Sequence, residues 1–261
     1  MILFSQLNEI QIIAFGLILL RMSGFVFTAA ILSSNSITVP LKILFSVVLT
    51  MTVYNSVTNN IIIMQIKESE SLILMLALKE ILAGVIIGFV TRIFFFGITM
   101  AGDLISVALG LGQAQIFNPM MGSMSNVVEQ FFVTLATLLY LGLNGHHHMI
   151  EGLVASFNTI QLSQTSLNVN GFVDIVKSMQ QFFVFGIQIS APVLISMLIV
   201  QVGIGILSRA VPQVNVLMTS ASITILLGMG ILLVSLPLMV MQLNGLLDIS
   251  TTELFKFIKT L

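Results

Sequence analysis

Long apolar stretches dominate this sequence of 261 residues. They lie at residues 8–32, 40–64, 71–101, 127–157, 178–208 and 214–245. A run of about 20 apolar residues is long enough for a helix to cross a membrane. Only 7% of the residues are charged and 57% are hydrophobic, against about 25% charged residues in ordinary soluble domains. Because a soluble core cannot cover so much apolar surface, the sequence predicts an all-α integral membrane protein of about six long helices.

One segment in the middle of the chain, residues 104–126, has membrane composition but lacks helical continuity. It carries no charge, yet glycine, asparagine and proline interrupt it. Irregular backbone is tolerated at apolar depth only where protein buries it or where it lines a cavity. We therefore expect this broken segment to be a gate, a filter or a binding element. Its candidate residues are Gly110, Gly112, Gln113, Gln115, Phe117, Asn118, Pro119, Met120, Met121 and Gly122.

The methionines around Gly122 allow two interpretations. Met120, Met121 and Met124 can be ordinary core-filling side chains, for which the flexible thioether is well suited. They can also form a deformable seal, because methionine adapts to different shapes while excluding water. The absence of charge in the broken segment favours a steric, apolar seal over an ion-selective filter.

Charged residues also interrupt the apolar stretches. They are Arg21, Lys79, Glu80, Arg92, Asp103, Glu129 and Arg209. Each costs about 2.5–3.5 kcal/mol at the centre of a membrane helix that faces lipid. Because they are dispersed and of both signs, we expect pairing between helices, or positions at helix ends where side chains reach water, rather than an ion path.

Two further patterns concern helix packing. Gly84 and Gly88 form a G-x-x-x-G pair, which lets membrane helices approach closely. In the run R-A-V-P-Q-V-N-V from Arg209, Pro212 lacks an amide and disfavours a helical residue before it. Gln213 and Asn215 can bond the backbone groups that this break frees. The last two long helices should therefore form a hairpin that turns at these residues.

Several functions are excluded by composition. The formal net charge of −1 and the lack of a basic patch speak against nucleic-acid binding. No metalloprotease, serine-hydrolase or nucleotide-loop motif is present, so we expect neither an enzyme nor a cofactor. The consecutive His146, His147 and His148 do not predict a metal site, because successive side chains of a helix point about 100° apart.

Four segments together are specific to a family. They are LLRMSGFVFTAAIL at 19–32, EQFFVTLATLLYLGLNGHHHMIEGLVASF at 129–157, ISAPVLISMLIVQVGIG at 189–205 and GILSRAVPQVNV at 205–216. In order and spacing they resemble the flagellar members of the FliR/SctT family of type III secretion export-gate proteins. The resemblance implies a subunit of the bacterial inner membrane, at the flagellar basal body. Its implied partners are FliP and FliQ, with which it would form a closed pore, the switch protein FlhB, unfolded flagellar proteins as cargo, and lipid.

The resemblance also implies how the chain is arranged. Helices of the family form slanted hairpins, and a loop between the middle helices contributes a plug, which here corresponds to about Gly110 to Gly122. Asn118 stands where the family commonly has an acidic residue. We expect one export-gate subunit over residues 1–261, with N-terminal helices to about 165. From about 171 onward, a helical hairpin and an amphipathic tail should follow.

A different class of function remains open from the residues. A small-solute secondary transporter with an intramembrane site at Asp103, Glu129 and Arg92 would also contain a discontinuous helix. The two hypotheses differ in oligomeric state. An export-gate subunit belongs to a hetero-oligomer, whereas a transporter functions as a monomer or homodimer.

Overall fold

The computed structural model of this chain is almost entirely helical in the part of the chain that it describes. It describes residues 9–34, 37–57, 73–111, 127–160, 162, 170–210 and 216–260, and within these ranges there is no strand. The helices are α1 (Glu9–Thr28), α2 (Val39–Val57), α3 (Ile73–Ala108), α4 (Val127–Gly142), α5 (Gly145–Thr159), α6 (Asn170–Ala210) and α7 (Val216–Thr260). The predicted all-α class is confirmed.

Five of these helices, α1, α2, α3, α6 and α7, are long and apolar enough to cross a membrane. The broken pair of α4 and α5 can count as one more span, which agrees with the predicted number of about six. With 41 and 45 residues, α6 and α7 exceed the length that one crossing requires. They contain Pro192 and Pro237, which membrane helices tolerate because neighbouring groups satisfy the freed carbonyls.

The fourth apolar stretch differs from its prediction as one continuous helix over 127–157. The chain breaks after Gly142, and Asn144 adopts a left-handed conformation with φ 57° and ψ 24°. Asparagine is among the few residues that enter this region readily, and one such residue cannot continue a right-handed helix. The buried Gly145 then begins α5. Three other helices are longer than predicted, since α3 continues to Ala108, α7 continues to Thr260, and α6 already begins at Asn170.

The chain divides into two compact units. The first unit comprises Met1–Ile93, Asn144–Ser178 and Ser250–Leu261. In it α1 packs against α2, and α2 contacts α5. The end of α7 lies on α5, where a methyl group at Gly152 would come within 3.0 Å of Leu254 and 3.1 Å of Ile258. The apolar residues of this last stretch of α7 are therefore buried inside the first unit.

The second unit comprises Phe94–Leu143 and Met179–Ile249. An aromatic cluster joins three of its helices. Phe94 of α3 lies with its ring centroid 5.9 Å from that of Tyr140 on α4 and 6.3 Å from that of Phe182 on α6. Next to it, a methyl group at Gly97 would lie 2.8 Å from the carbonyl oxygen of Phe182. The small residue thus allows α3 and α6 to approach at backbone distance.

Candidate functional site

A cluster of buried charges lies within the first unit. Arg21 on α1 donates from Nε to Oε2 of Glu80 on α3 at 2.6 Å, and both side chains are completely buried. Lys79 brings its Nζ to 2.9 Å from the other carboxylate oxygen of Glu80. Arg21 and Glu80 are 59 residues apart in the sequence. The structure therefore brings together three of the charges that interrupt the apolar stretches.

Arg21 connects this ion pair to a third helix. Its Nη2 donates to the backbone carbonyl of Ile160 at 2.8 Å, and its Nη1 donates to Ser156 Oγ at 3.2 Å. Its guanidinium carbon lies 4.0 Å from the ring centroid of Phe157. The carbonyl of Ile160 follows the last turn of α5, where the helix dipole favours a cation. One guanidinium thus holds α1, α3 and the end of α5 together.

Three glycines make this arrangement possible, because α1 and α3 approach closely beside the cluster. A methyl group at Gly84 would collide with the backbone carbonyl of Arg21, and one at Gly24 would lie 2.8 Å from the carbonyl oxygen of Ile81. One turn further along α3, a methyl group at Gly88 would collide with the hydroxyl of Thr28. Gly84 and Gly88 of α3 therefore face α1, and Gly24 of α1 faces α3.

The other charged candidates lie elsewhere. Arg92 is exposed and belongs to the first unit, whereas Asp103 and Glu129 are half-buried and belong to the second. Asp103 and Glu129 are near each other, since a methyl group at the adjacent Gly102 would lie 2.5 Å from the Cα atom of Glu129. Arg209 is exposed near the end of α6.

The start of the broken segment is an ordered helix end in the second unit. Residues 104–108 complete α3, and Gly110 follows with a φ of 76°. The amide of Gly110 donates to the carbonyl of Val107 at 3.0 Å, and that of Leu111 donates to the carbonyl of Ser106 at 3.2 Å. This is the Schellman arrangement, in which glycine adopts the left-handed conformation that ends the helix.

Close packing holds this helix end in place. Leu109 is fully buried, and its side chain fills the space next to Gly228 on α7, where a methyl group would collide with it. The same methyl group would lie 3.2 Å from the sulfur of Met197 on α6. At the other end of the broken segment, α4 packs on α3 through Gly102 and Glu129. Both flanks of the segment are therefore anchored within one unit.

The remaining candidates lie outside the described residues. For the broken segment these are Gly112, Gln113, Gln115, Phe117, Asn118, Pro119, Met120, Met121 and Gly122. For the predicted hairpin turn they are Pro212, Gln213 and Asn215.

The three histidines occupy the first turn of α5. The rings of His146 and His147 are tilted by 55° with their centroids 4.2 Å apart, and Nδ1 of His148 lies 3.6 Å from the carboxylate of Glu151. Within the described ranges, no group of three or more histidine, cysteine, aspartate or glutamate side chains is placed to hold a metal ion. The histidines thus contact each other and their own helix.

Sequence reasoning missed several residues that the structure places at these sites. Ser156 and Phe157 surround Arg21, and no local pattern distinguishes them from other residues of α5. Gly102 and Gly228 lie at close helix contacts, and the only available signal was a small residue inside an apolar helix. That signal does not separate them from Gly16 or Gly230, where an added methyl group would contact nothing within 4 Å.

Comparison with known proteins points to one family. Residues 12–249 match the family described as bacterial export proteins, family 1. The chain is 27% identical to the flagellar biosynthetic protein FliR of Bacillus subtilis, over 91% of each chain. It is 28% identical to the protein of that name from Escherichia coli, over 84% of this chain and 83% of the relative. With the Aquifex aeolicus FliR the identity is 33%, over 66% of each chain.

Proposed function

The chain belongs to the bacterial export proteins, family 1, and on that basis we propose that it is a structural and gating subunit of the flagellar protein-export channel. The family description and the names of its relatives, which are flagellar biosynthetic proteins, together support a flagellar export component. Its long apolar helices make it a membrane protein. The proposed location is the bacterial inner membrane at the flagellar basal body.

The gating role rests mainly on how the second unit holds the two flanks of the broken segment. The segment has no charge and several helix-breaking residues, while its flanks are fixed by Leu109 next to Gly228 and by Gly102 next to Glu129. A segment fixed at both ends can fill a pore without being carried away by passing cargo. Its glycines and methionines suit a seal that excludes ions by contact, because they leave no charge to attract them.

The structural role rests on the first unit. A guanidinium that bonds two other helices in a dry interior fixes their positions more tightly than apolar packing alone, because its donors are directional. Such a unit suits the proposed structural role.

The proposed assembly partners are FliP, FliQ and FlhB, with unfolded flagellar proteins as cargo. The outward faces of α6 and α7 support partner binding, because large apolar side chains there are exposed. Examples are Leu198, Ile199, Leu226 and Val234, each at least 62% exposed. Partner subunits and lipid would together cover this surface.

The gating proposal is tested by charging the segment in the assembled complex. We expect Gly112→Asp to make cells that express the complex leaky to ions and small dyes, because a buried carboxylate draws water into an apolar seal. Deletion of residues 113–117 should have a larger effect. Gly112→Ala is the matched control and should leave the membrane tight. If the Gly112→Asp complex assembles with its partners and stays as tight as the control, the segment is not the plug.

The transporter alternative makes the opposite prediction about assembly. It would use Asp103 and Glu129, whose helices are in contact through Gly102, together with Arg92. Purification in mild detergent should give a stable hetero-oligomer if the chain is an export-gate subunit. A functional monomer or homodimer that loses solute uptake on Asp103→Asn would instead establish the transporter.

A further inference from the structure

Arg92 differs from the buried charges of the first unit. Arg21, Lys79 and Glu80 are buried and bonded within one cluster, whereas Arg92 is exposed on α3. Among the residues that the structure describes, none forms an ion pair or a hydrogen bond with its guanidinium. The described part of the chain therefore leaves this cation without an internal partner.

Arg92 belongs to an otherwise apolar stripe on α3. Residues three or four positions apart lie on the same side of a helix. The outer stripe of α3 consists of the exposed and half-exposed residues at this spacing, Leu78, Ile81, Val85, Phe89 and Arg92. Gly84 and Gly88, on the other side of α3, face α1. The outer stripe is therefore an apolar surface that points away from α1 and carries a single charge.

The position of Arg92 along α3 keeps it away from both ends of the helix. A crossing of the membrane requires about 20 residues, and α3 has 36. Arg92 is so near the middle that every run of that length within α3 includes it. The residues that follow, Ile93 to Phe96, are apolar as well. Because a guanidinium within such a surface is costly where it faces lipid, it requires an anion close by.

We propose that the outer stripe binds an apolar helix of a neighbouring subunit, which carries one aspartate or glutamate opposite Arg92. A planar guanidinium binds a carboxylate through two parallel hydrogen bonds, and these bonds are stronger where apolar side chains exclude water. The apolar residues of the stripe pack on the partner helix around this pair. The contact rests on the proposed function, because only a subunit of an assembly has such a neighbour.

Other occupants match the outer stripe less well. Lipid acyl chains suit Leu78 and Phe89, but they offer no anion to a guanidinium within the span. Water would hydrate the guanidinium, yet the rest of the stripe is apolar and would be wetted with it. A second copy of this chain, bound symmetrically, would set one Arg92 near the other, because the stripe contains no acidic residue. The partner is therefore a different polypeptide.

The first test is whether assembly depends on the charge at position 92. The complex is purified through a tag on this chain in mild detergent, and its subunits are quantified by mass spectrometry. Arg92→Glu should lower the recovery of one partner subunit by at least about tenfold, because two carboxylates would then face each other. Glu151→Arg is the matched control, since it reverses a charge that is 68% exposed in the same unit, and it should assemble as wild type does.

Arg92→Leu separates a protein partner from lipid or water. If a carboxylate of the partner faces Arg92, leucine leaves that carboxylate buried without a cation. Recovery of the same subunit should then fall about tenfold. A guanidinium that faces lipid or water makes no such contribution, so unchanged recovery in Arg92→Leu would overturn the proposal.

Cross-linking identifies the partner residue. Phe89, one turn from Arg92, is replaced by the photoreactive p-benzoylphenylalanine, which should capture an apolar helix of a different subunit that contains an aspartate or glutamate. Replacing that acid with arginine should restore recovery of the subunit in the Arg92→Glu variant. A cross-link to a second copy of this chain, or an exchange of charges that restores nothing, would overturn the proposal.

Failure of this contact is distinguishable from failure of the proposed function. If wild type purifies with its partner subunits and Arg92→Glu does so equally well, only the contact at the outer stripe is wrong. A wild-type chain that purifies alone would overturn both.

Discussion

The two units of this protein are stabilised in different ways. In the first, Arg21, Glu80 and Lys79 lie almost completely out of water and hold three helices through directional bonds. In the second, no charged residue among those described is buried, and helices are positioned by aromatic rings and by glycines that admit a neighbouring backbone or side chain. The comparison teaches that one membrane protein can stabilise two units by different chemistry. Substitutions at these buried charges and at the glycines beside them should therefore have larger effects than substitutions at the packing contacts of the second unit.

The largest effect is expected from Glu80→Gln. It leaves Arg21 and Lys79 buried without their carboxylate, which should lower the free energy of unfolding by about 3–5 kcal/mol. Thermal unfolding of the purified complex in mild detergent measures this loss. Glu151→Gln is the control, because its carboxylate is 68% exposed and pairs only weakly with His148 at 3.6 Å. Equal melting temperatures for the two variants would show that the buried cluster does not stabilise the first unit.

A smaller but still clear effect is expected from Gly84→Ala. The new methyl group meets the backbone carbonyl of Arg21, and because a backbone cannot rotate away, α1 and α3 must separate at a cost of about 1–3 kcal/mol. Gly16→Ala, in the same unit, adds a methyl group into open space and should instead stabilise by about 0.4–1 kcal/mol. The melting temperature of Gly84→Ala should therefore be lower than that of Gly16→Ala. A higher or equal melting temperature for Gly84→Ala would contradict the prediction.

In the second unit, Gly228→Ala should cost about 0.5–1.5 kcal/mol. The methyl group meets the end of the Leu109 side chain, which can change rotamer at that cost. The control is Gly230→Ala, where nothing lies within 4 Å. The contrast between the units would break down if Gly228→Ala destabilised the protein as much as Gly84→Ala.

The smallest effect is expected from Lys256→Gln. Its ammonium lies 3.5 Å from Glu253 and its side chain is 57% exposed, and a pair whose cation is in water contributes about 0–1 kcal/mol. Raising the ionic strength should remove even this difference, whereas the effect of Glu80→Gln should persist in salt because the buried pair is screened less. A salt-sensitive Glu80→Gln effect would mean that water reaches the cluster.

Much of the fold was predictable from local patterns. The apolar stretches gave helices at nearly the predicted places, because hydropathy over about 20 residues decides whether a segment is helical in a membrane. The break at Asn144 was not predicted, since asparagine only permits the left-handed conformation and does not require it. Gly110 was predicted within the broken segment, and the structure shows it as the residue that ends α3.

The candidate sites were predictable only in part. The charged residues inside apolar stretches were identified, and pairing between helices was expected for them. Their partners were not identified, because the guanidinium of Arg21 bonds groups 59, 135 and 139 residues away. Residues such as Ser156 carry no signal of their own, since they contribute only through the position of the helix that contains them.

The sequence by itself determined that this chain is helical, belongs in a membrane and has an uncharged break in its middle. These properties follow from apolar length, charge and backbone-breaking residues, which act locally and add along the chain. Tertiary structure alone decided which charges are paired, which glycines lie at helix contacts and how the flanks of the broken segment are anchored. Those properties depend on which helices lie side by side, and contacts between distant segments leave no periodic pattern in the sequence.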